Sequence, residues 1–426
     1  MLVPMAVFVA ARWLARVDAY SVNIPAAAPV ADYIEGVAWA AFLTGLVALW
    51  FTGPERRAVL TTWALRLVVV LVAMLWYERK YDFLDSYTYF KGAQFADQPW
   101  DFREFGNGTA LLHEIAWLHA RVLVNSFHAM VVSWALVGEM AVIVFARAFR
   151  QFAPEHYIAT IWILGLTPTV FFWSSTLGKD PVVFIAIALF TSGFLTLVSA
   201  GARKAPVQLL GGLALAAAVR PWMALILVVS SVLTMLFLGQ QRARNLPLFL
   251  GLALLLGATA VLFSQAVGVS SFADFFAFVN VATAAESDWS IGGSGREISG
   301  DLTSPMGFLL FLPFGAFTAV FRPLPGEVNN VFGWLAGFEG LALVIGAVIA
   351  AARTRLKQLR HPAVLFSLCV VAVWSTFYSF ISSQNLGTAV RYRLQAMPFV
   401  LFLIVVLGGR LSLGRGTGVQ PTGPVR

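Results

Sequence analysis

The chain has 426 residues, of which 59% are hydrophobic and only 12% are charged. Soluble domains carry about 25% charged residues, so this composition excludes an ordinary soluble enzyme and indicates a membrane protein. The formal net charge of +8 does not indicate nucleic-acid binding, because most Lys and Arg lie in short loops between apolar segments, where positive charge sets orientation. The one cysteine, Cys369, excludes a disulfide within the chain and a cysteine metal site.

The chain begins with an apolar segment, residues 1–17, that carries Arg12 and Arg16 and lacks a small-residue cleavage site. We interpret it as a first span or an interfacial helix and not as a cleaved signal peptide. Further on, windows of about 20 mostly apolar residues recur, each long enough to cross a hydrocarbon core of about 30 Å. These predicted spans are 34–52, 58–77, 127–146, 157–174, 181–199, 207–219, 222–239, 246–267, 332–352, 362–382 and 396–410.

The pattern predicts an all-α protein, a polytopic transmembrane helical bundle of about 11–12 spans with one re-entrant or interfacial segment. Residues 1–410 form a single integral membrane domain in this interpretation, and the Gly- and Pro-rich tail 411–426 is disordered. Basic loops should face the cytoplasm. They contain Arg56, Arg57, Arg147, Arg150, Arg203, Lys204, Arg242, Arg244, Arg353, Arg355, Lys357 and Arg360.

Alternation from the first basic loop places four segments outside: 78–126, 175–181, 219–221 and 268–304. The first and last of these are the long outer loops, and part of 78–126 is expected to form a helix lying on the membrane. If 305–321 also crossed fully, the basic loop at 353–361 would fall on the wrong side. Pro313 and Gly315 favour a helix broken at its middle, so we predict a re-entrant or interfacial hairpin there.

Two carboxylates follow the second predicted span. Asp82 and Asp85 are three residues apart, a spacing that places both on one face of a helix. A partly desolvated carboxylate has a raised pKa and is suited to accept a proton from a sugar hydroxyl. The alternative is a solvated interfacial segment with an aromatic belt.

Cations interrupt the predicted outer boundary at five positions, where charge is costly unless it lines a wet cavity. They are Lys179 (followed by Asp180), Arg220, Arg322, Arg391 and Arg393. Structural alternatives exist for each: a tight turn with Asp180 at a helix start, Pro221 at a first helical turn, an ion pair of Arg322 with Glu327, and an interfacial anchor at 391–393. Together the arginine forks favour binding of an anionic, lipid-borne phosphate.

Other polar residues carry weaker signals. His113 and His119 are six residues apart with Glu114 between them, and they do not share a helix face well, so no metal site is predicted. Glu139 lies inside a predicted span and is either a proton-relay group or a packing contact. The chain contains no phosphate-binding loop, no dinucleotide fingerprint and no zinc motif.

The motifs resemble those of bacterial surface-polysaccharide polymerases of the Wzy and EpsG types and, more loosely, GT-C glycosyltransferases. The resemblance spans roughly residues 80–400. It is carried by Asp82–Asp85–Ser86–Tyr87, the stretch FWSSTLGKD at 172–180, Arg220–Pro221, the stretch FRPLPGE at 321–327, and Arg391–Tyr392–Arg393 before a proline-containing last span. GT-C enzymes with monosaccharide phospholipid donors usually show a Glu-containing pair in the first outer loop, where this chain has Asp-x-x-Asp, and no large soluble domain follows the last span.

Both departures favour a polymerase or ligase over a protein glycosyltransferase. The resemblance implies a glycosyltransferase that acts on polyprenyl-(pyro)phosphate-linked sugars or oligosaccharides at the outer face of the cytoplasmic membrane, with a polymerase in surface-polysaccharide assembly as the first expectation. The expected partners are membrane lipid and polysaccharide-assembly proteins, with no nucleic acid. In this hypothesis Asp82 and Asp85 are catalytic, and Lys179, Asp180, Arg220, Arg322, Arg391 and Arg393 bind substrate. No cofactor is expected, although the use of a divalent cation stays open. The alternatives are a transporter or flippase of an anionic lipid-linked glycan, a GT-C enzyme with a polyprenyl-phosphate monosaccharide donor, and a non-catalytic assembly partner.

Overall fold

The computed structural model describes residues 2–80, 84–95, 105–199, 205–238, 246–267 and 305–409. Within these ranges the chain is almost entirely α-helical and forms no β-strand, which confirms the predicted all-α class. Six of the described helices are long and apolar enough to cross a membrane, and a bent pair makes a seventh. A polytopic membrane bundle is therefore confirmed, whereas the count of 11–12 spans stays a prediction that depends on the shorter apolar helices.

The helices are numbered in chain order. The first half of the chain forms α1 (Leu2–Tyr20), α2 (Pro29–Trp50), α3 (Gly53–Val68), α4 (Met74–Lys80), α5 (Asp85–Phe95), α6 (Gly108–Val122), α7 (Phe127–Arg150), α8 (Tyr157–Leu166), α9 (Pro168–Trp173) and α10 (Lys179–Ser199). The second half forms α11 (Ala205–Val219), α12 (Pro221–Phe237), α13 (Leu246–Val267), α14 (Pro305–Phe321), α15 (Val331–Arg353), α16 (Leu356–Leu359), α17 (Pro362–Gln384), α18 (Leu386–Arg393) and α19 (Met397–Gly408).

Several helical segments are interrupted or change geometry along their length. Pro168 lacks a backbone N–H and forces the preceding residue, Thr167, into an extended conformation. The predicted span 157–174 is therefore not one continuous helix, because two helices, α8 and α9, occupy it. Its crossing of the membrane stays a prediction. Between α3 and α4 the helix continues through a π-helical turn, Val69–Ala73, and α18 meets α19 at a bend of 70°.

The core lies between α7, α10, α17 and α19, where aromatic side chains stack. The rings of Phe149 and Phe402 are 4.2 Å apart and parallel, and Phe145 contacts Phe184 at 5.2 Å. Helices α10 and α11 approach closely at Gly212, where a Cβ atom would lie only 2.4 Å from the backbone nitrogen of Phe190. Small residues allow such close packing, which drives helix association in lipid where the hydrophobic effect does not.

The bundle has two distinct ends. At one end, Arg147 donates a hydrogen bond to Glu55 at 3.1 Å, and the ring of Phe152 lies 4.9 Å from that of His361. These contacts gather the basic loops around residues 55, 150 and 355–361, and we call this the basic end. Helix α10 also finishes there, since Ser199 donates to Gln151 at 3.1 Å. The opposite end, where α10 begins at Lys179, is called the site end.

Helix α14 departs from its prediction. It is one continuous helix with Pro313 inside it, so the predicted break at Pro313 and Gly315 is wrong. An internal proline removes a single backbone hydrogen bond, which a helix packed among neighbours tolerates. Gly315 serves packing instead, because a Cβ atom there would lie 2.6 Å from Cβ of Ser379 in α17. The loop 268–304 that precedes α14, and the tail 411–426, lie outside the described residues.

Helix α14 ends partway along α15. The carbonyl oxygen of Phe321 lies 2.3 Å from where a Cβ of Gly340 would stand, and Gly340 is nine residues after the start of α15. At 1.5 Å per residue, the end of α14 is about 14 Å along α15 from Val331. The chain then returns to the site end within residues 322–330, since the ring of Phe332 in the first turn of α15 lies 5.9 Å from that of Phe172. That path is compatible with a re-entrant segment, which stays a prediction.

Candidate functional site

A buried carboxylate joins two helix ends at the site end of the bundle. Asp180 lies in the first turn of α10, and its side chain is only 1% exposed. Arg220 donates from Nη2 to Oδ1 at 2.8 Å, and Arg391 donates from Nε to Oδ2 at 2.6 Å. Each carboxylate oxygen thus fixes one guanidinium, and charge-assisted bonds of this length are the strong ones.

Backbone breaks place both arginines. Arg220 occupies the N-cap position of α12 with a non-helical backbone (φ −146°, ψ 89°), and Pro221 occupies the first helical position, where its missing N–H costs nothing. Arg391 lies in the last turn of the short helix α18. The turn before α10 is held from the core, because Trp134 donates from Nε1 to the carbonyl oxygen of Gly178 at 3.1 Å.

Arg391 also reaches the surface. Its Nη1 and Nη2 atoms both donate to Oδ2 of Asp85, each at 3.2 Å, and the guanidinium lies 5.6 Å from the ring centre of Trp173. Asp85 is the first residue of α5, and its side chain is 53% exposed, whereas that of Arg391 is 29% exposed. Arg391 therefore links the buried Asp180 to an accessible carboxylate.

Two further residues interact with these side chains. Lys179 is half-buried and interacts electrostatically with Arg220, Asp85 and Arg391. Tyr89 is buried one turn after Asp85 on α5, and burial together with the nearby charge of Asp85 raises the pKa of its hydroxyl to about 12. Tyr89 therefore keeps its proton at neutral pH. Sequence reasoning did not select Tyr89, although its spacing of four residues from Asp85 is the available signal.

Aromatic rings pack against the buried arginine of this group. The Arg220 guanidinium lies 4.9 Å from the ring centre of Tyr392, which is 5.0 Å from that of Tyr378. Tyr378 accepts a hydrogen bond from Nε1 of Trp222 at 2.8 Å and stands six residues before the end of α17. We call Asp85, Lys179, Asp180, Arg220 and Arg391 the cation site.

The remaining predicted site residues lie elsewhere or outside the description. Asp82 lies outside the described residues. Arg393 stands two positions after Arg391 and therefore points to the opposite face of α18. It is fully buried and donates to Glu339 at 3.1 Å and to Thr169 at 3.3 Å. These partners account for Arg393 as a contact between α9, α15 and α18.

Arg322 forms an ion pair with Glu327, which the sequence analysis gave as the structural alternative to substrate binding. Its Nε atom donates to the two carboxylate oxygens at 2.9 and 3.0 Å, and the backbone N–H of Leu324 donates to Oε2 of Glu327 at 2.8 Å. The pair closes the turn after α14. In the part of the chain that the structure describes, Arg220 and Arg391 thus share a carboxylate, while Arg322 and Arg393 each have a different one.

An ion pair inside the bundle explains Glu139. Arg66 donates from Nε to Glu139 at 2.7 Å and from Nη1 to the hydroxyls of Ser174 and Ser175 at 2.6 and 2.9 Å. Arg66 and Glu139 are fully buried, so their charges are neutralised by each other. Sequence reasoning missed Arg66, although it is the one charge in the middle of the predicted span 58–77. The pair holds the turn that leads to Lys179.

Aromatic rings connect the cation site to an exposed apolar surface. Trp173, below Arg391, contacts Phe172 at 5.1 Å, Phe172 contacts Phe332 at 5.9 Å, and Phe332 contacts Trp76 at 6.2 Å. Phe332 is 40% exposed and Trp76 is 52% exposed. We call this series of four rings the aromatic path. Within the described ranges, no group of three or more His, Cys, Asp or Glu residues is placed to hold a metal ion.

Comparison with known proteins adds no assignment. No protein-family model, no curated protein and no solved structure matches this chain.

Proposed function

We propose that the protein is a membrane glycosyltransferase that uses a polyprenyl-(pyro)phosphate-linked glycan as donor and lengthens a surface polysaccharide at the outer face of the cytoplasmic membrane. The observation that carries the proposal is the cation site. Lys179, Arg220 and Arg391 gather around one buried carboxylate, and Arg391 remains partly accessible. Fixed cations of this kind stabilise the negative charge that develops on a leaving pyrophosphate.

The chemistry divides the residues into two roles. The bond between the anomeric carbon and the phosphate oxygen of the donor breaks, and the acceptor hydroxyl oxygen forms a new bond to that carbon with inversion. Arg391, Arg220 and Lys179 stabilise the negative charge that the leaving polyprenyl pyrophosphate acquires. The proton of the acceptor hydroxyl passes to Asp85 or Asp82. Asp180 holds the two arginines in position.

The aromatic path supports a lipid-borne donor over a soluble one. It runs from Trp173, beneath Arg391, to the exposed Trp76, so a phosphate at Arg391 lies next to an apolar surface that faces lipid. An isoprenoid chain is apolar and is stabilised by such contacts at about 0.8 kcal/mol per buried CH₂. The outward placement of the site is supported by the basic end, whose arginines lie at the other end of the bundle.

The experiment is glycan extension by the purified protein. Incubation with a lipid-linked oligosaccharide should produce longer lipid-linked glycans on a gel, and Arg391→Ala should lower the rate roughly 10–100-fold. That range corresponds to a loss of about 1.5–3 kcal/mol, the contribution of a hydrogen bond to a charged group. Arg391→Lys should restore part of the rate, because lysine lacks the fork. Arg360→Ala, an exposed arginine at the basic end, is the matched control and should leave the rate unchanged.

A transporter of an anionic lipid-linked glycan is the second candidate. Interrupted helices favour it, namely the α8–α9 break and the 70° bend between α18 and α19, since transporters often build substrate sites from discontinuous helices. The same preparation in liposomes separates the two functions. Movement of the lipid-linked glycan across the bilayer without lengthening would contradict the transferase proposal.

A further inference from the structure

Two carboxylates contact Arg391, and they are held differently. Asp180 accepts from Nε at 2.6 Å and is buried, so its bond is short and shielded from water. Asp85 presents one oxygen to two nitrogens at 3.2 Å and is 53% exposed. Charge-assisted N–H···O bonds are usually 2.7–2.9 Å, and exposed ion pairs contribute little. Asp180 is therefore a permanent counter-ion, whereas Asp85 is weakly held.

The same site holds an unused donor. Nη1 of Arg220 is buried and has no hydrogen-bond acceptor within the described part of the chain, although Nη2 of the same group binds Asp180. Buried polar groups are nearly always paired, and a charged donor without an acceptor is costly. When Asp85 withdraws, three cations at Lys179, Arg220 and Arg391 are left with only Asp180 among the described residues. A ligand with several negative oxygens fits that charge.

We propose that Asp85 occupies the place of the ligand's phosphate on Arg391 and is displaced when the ligand binds. The inference rests on the proposed function in that the ligand there is a polyprenyl pyrophosphate. Phosphate oxygens take the Nη1 and Nη2 atoms of Arg391, where a fork pairs well with two oxygens, and the carboxylate of Asp85 moves away from the guanidinium. Displacement frees Asp85 to accept the proton of the acceptor hydroxyl, so the base becomes available only after the donor is bound.

The test uses the sign of an affinity change. The purified full-length protein in detergent is titrated calorimetrically with two probes, inorganic pyrophosphate and farnesyl pyrophosphate. Because Asp85 competes with the anion, Asp85→Asn should bind the probes about two- to fivefold more tightly than the unsubstituted protein. That ratio of affinities corresponds to the free energy of an exposed ion pair, which the anion no longer has to break. If Asp85 instead helped to build the binding site, the same substitution would weaken binding or leave it unchanged.

Two controls separate displacement from a general change in charge. Glu35→Gln removes an exposed carboxylate from α2 and should leave both affinities unchanged. In the Arg391→Ala background, Asp85→Asn should no longer tighten binding, whereas a long-range field effect would persist there. Thermal unfolding of each variant establishes that it is folded. Because Asp85 is half-exposed, the comparison with the unsubstituted protein stands even if Arg391→Ala does not fold.

The outcomes are distinct. Tighter binding of both probes by Asp85→Asn supports displacement and shows that the pyrophosphate group suffices. Tighter binding of farnesyl pyrophosphate alone also supports displacement and shows that the lipid is required. Three results would overturn the displacement. They are weaker or unchanged binding in Asp85→Asn, an increase in affinity that persists in the Arg391→Ala background, and no binding of either probe by the unsubstituted protein. If Asp85→Asn binds the probes more tightly but the unsubstituted protein does not lengthen glycans, the proposed function is contradicted and the displacement stands. If the protein lengthens glycans but Asp85→Asn does not bind the probes more tightly, the displacement alone is contradicted.

Discussion

Arg391 and Arg393 stand two positions apart in α18 and have different environments. Arg391 is partly exposed and contacts Asp180 and Asp85, while Arg393 is fully buried and contacts Glu339 and Thr169. A helix turns about 100° per residue, so two positions differ by roughly 200° and face opposite sides. Neutralising Arg391 should therefore affect ligand binding, and neutralising Arg393 or its partner should affect folding.

Glu339→Gln tests the folding role. It leaves the buried Arg393 without a counter-charge, and breaking a buried ion pair costs about 3–5 kcal/mol. Unfolding in detergent should report a loss of that size. Glu55→Gln is the matched control, because Glu55 and Arg147 are also 3.1 Å apart but Arg147 is half-exposed. Its loss should stay within about 1 kcal/mol. Equal losses in the two variants would contradict the role assigned to Arg393.

At the scale of elements, helix α14 decides how the second half of the chain crosses the membrane. It is continuous, it packs on α17 at Gly315, and it ends beside Gly340, partway along α15. A helix of 17 residues is about 26 Å long, short of a full crossing if part of it lies at the surface. The chain returns from there to Val331, so both ends of the segment are expected on one side.

Cysteine labelling tests that arrangement. In a chain whose buried Cys369 is replaced by Ala, single cysteines at Met306 and Asn329 should both react with a membrane-impermeant thiol reagent in whole cells. Both positions are exposed and flank the segment. Reaction of Met306→Cys only after lysis, with Asn329→Cys reacting before it, would mean that α14 crosses fully.

At the scale of the whole molecule, the two ends of the bundle differ in charge and chemistry. The basic end gathers Arg147, Arg150 and the loop 353–361, and the site end gathers the cation site. Short basic loops are retained on the cytoplasmic side. The site end should therefore face outward, where lipid-linked glycans are joined in the proposed function.

A second pair of cysteines tests the orientation. Gly178, in the turn before α10, is buried against Arg391, so it is poorly suited to labelling. Leu123, at the end of α6 beside the start of α7, is 55% exposed, and Glu155 is exposed at the basic end. In the same Cys369→Ala chain, Leu123→Cys should be labelled in whole cells and Glu155→Cys only after lysis. The reverse pattern would place the site in the cytoplasm.

Much of the fold follows from local sequence. Long apolar windows predict helices because backbone polar groups in lipid must be satisfied within the segment, and ten of the eleven predicted windows correspond to single helices or one continuous helical stretch. Only the window 157–174 is divided, at Pro168. Arg220 before Pro221 marks the start of α12 for the same reason, since proline is favoured at the first helical position.

Only the tertiary structure decided which charged residues pair with each other across long sequence separations. Asp180 and Arg391 are 211 positions apart, and Arg66 and Glu139 are 73 apart. Burial makes a charge costly without indicating which opposite charge will neutralise it, so composition marked these residues as constrained but left their pairing open. Only helix packing assigned Arg391 to Asp180 and Asp85, and Arg393, two positions later, to Glu339.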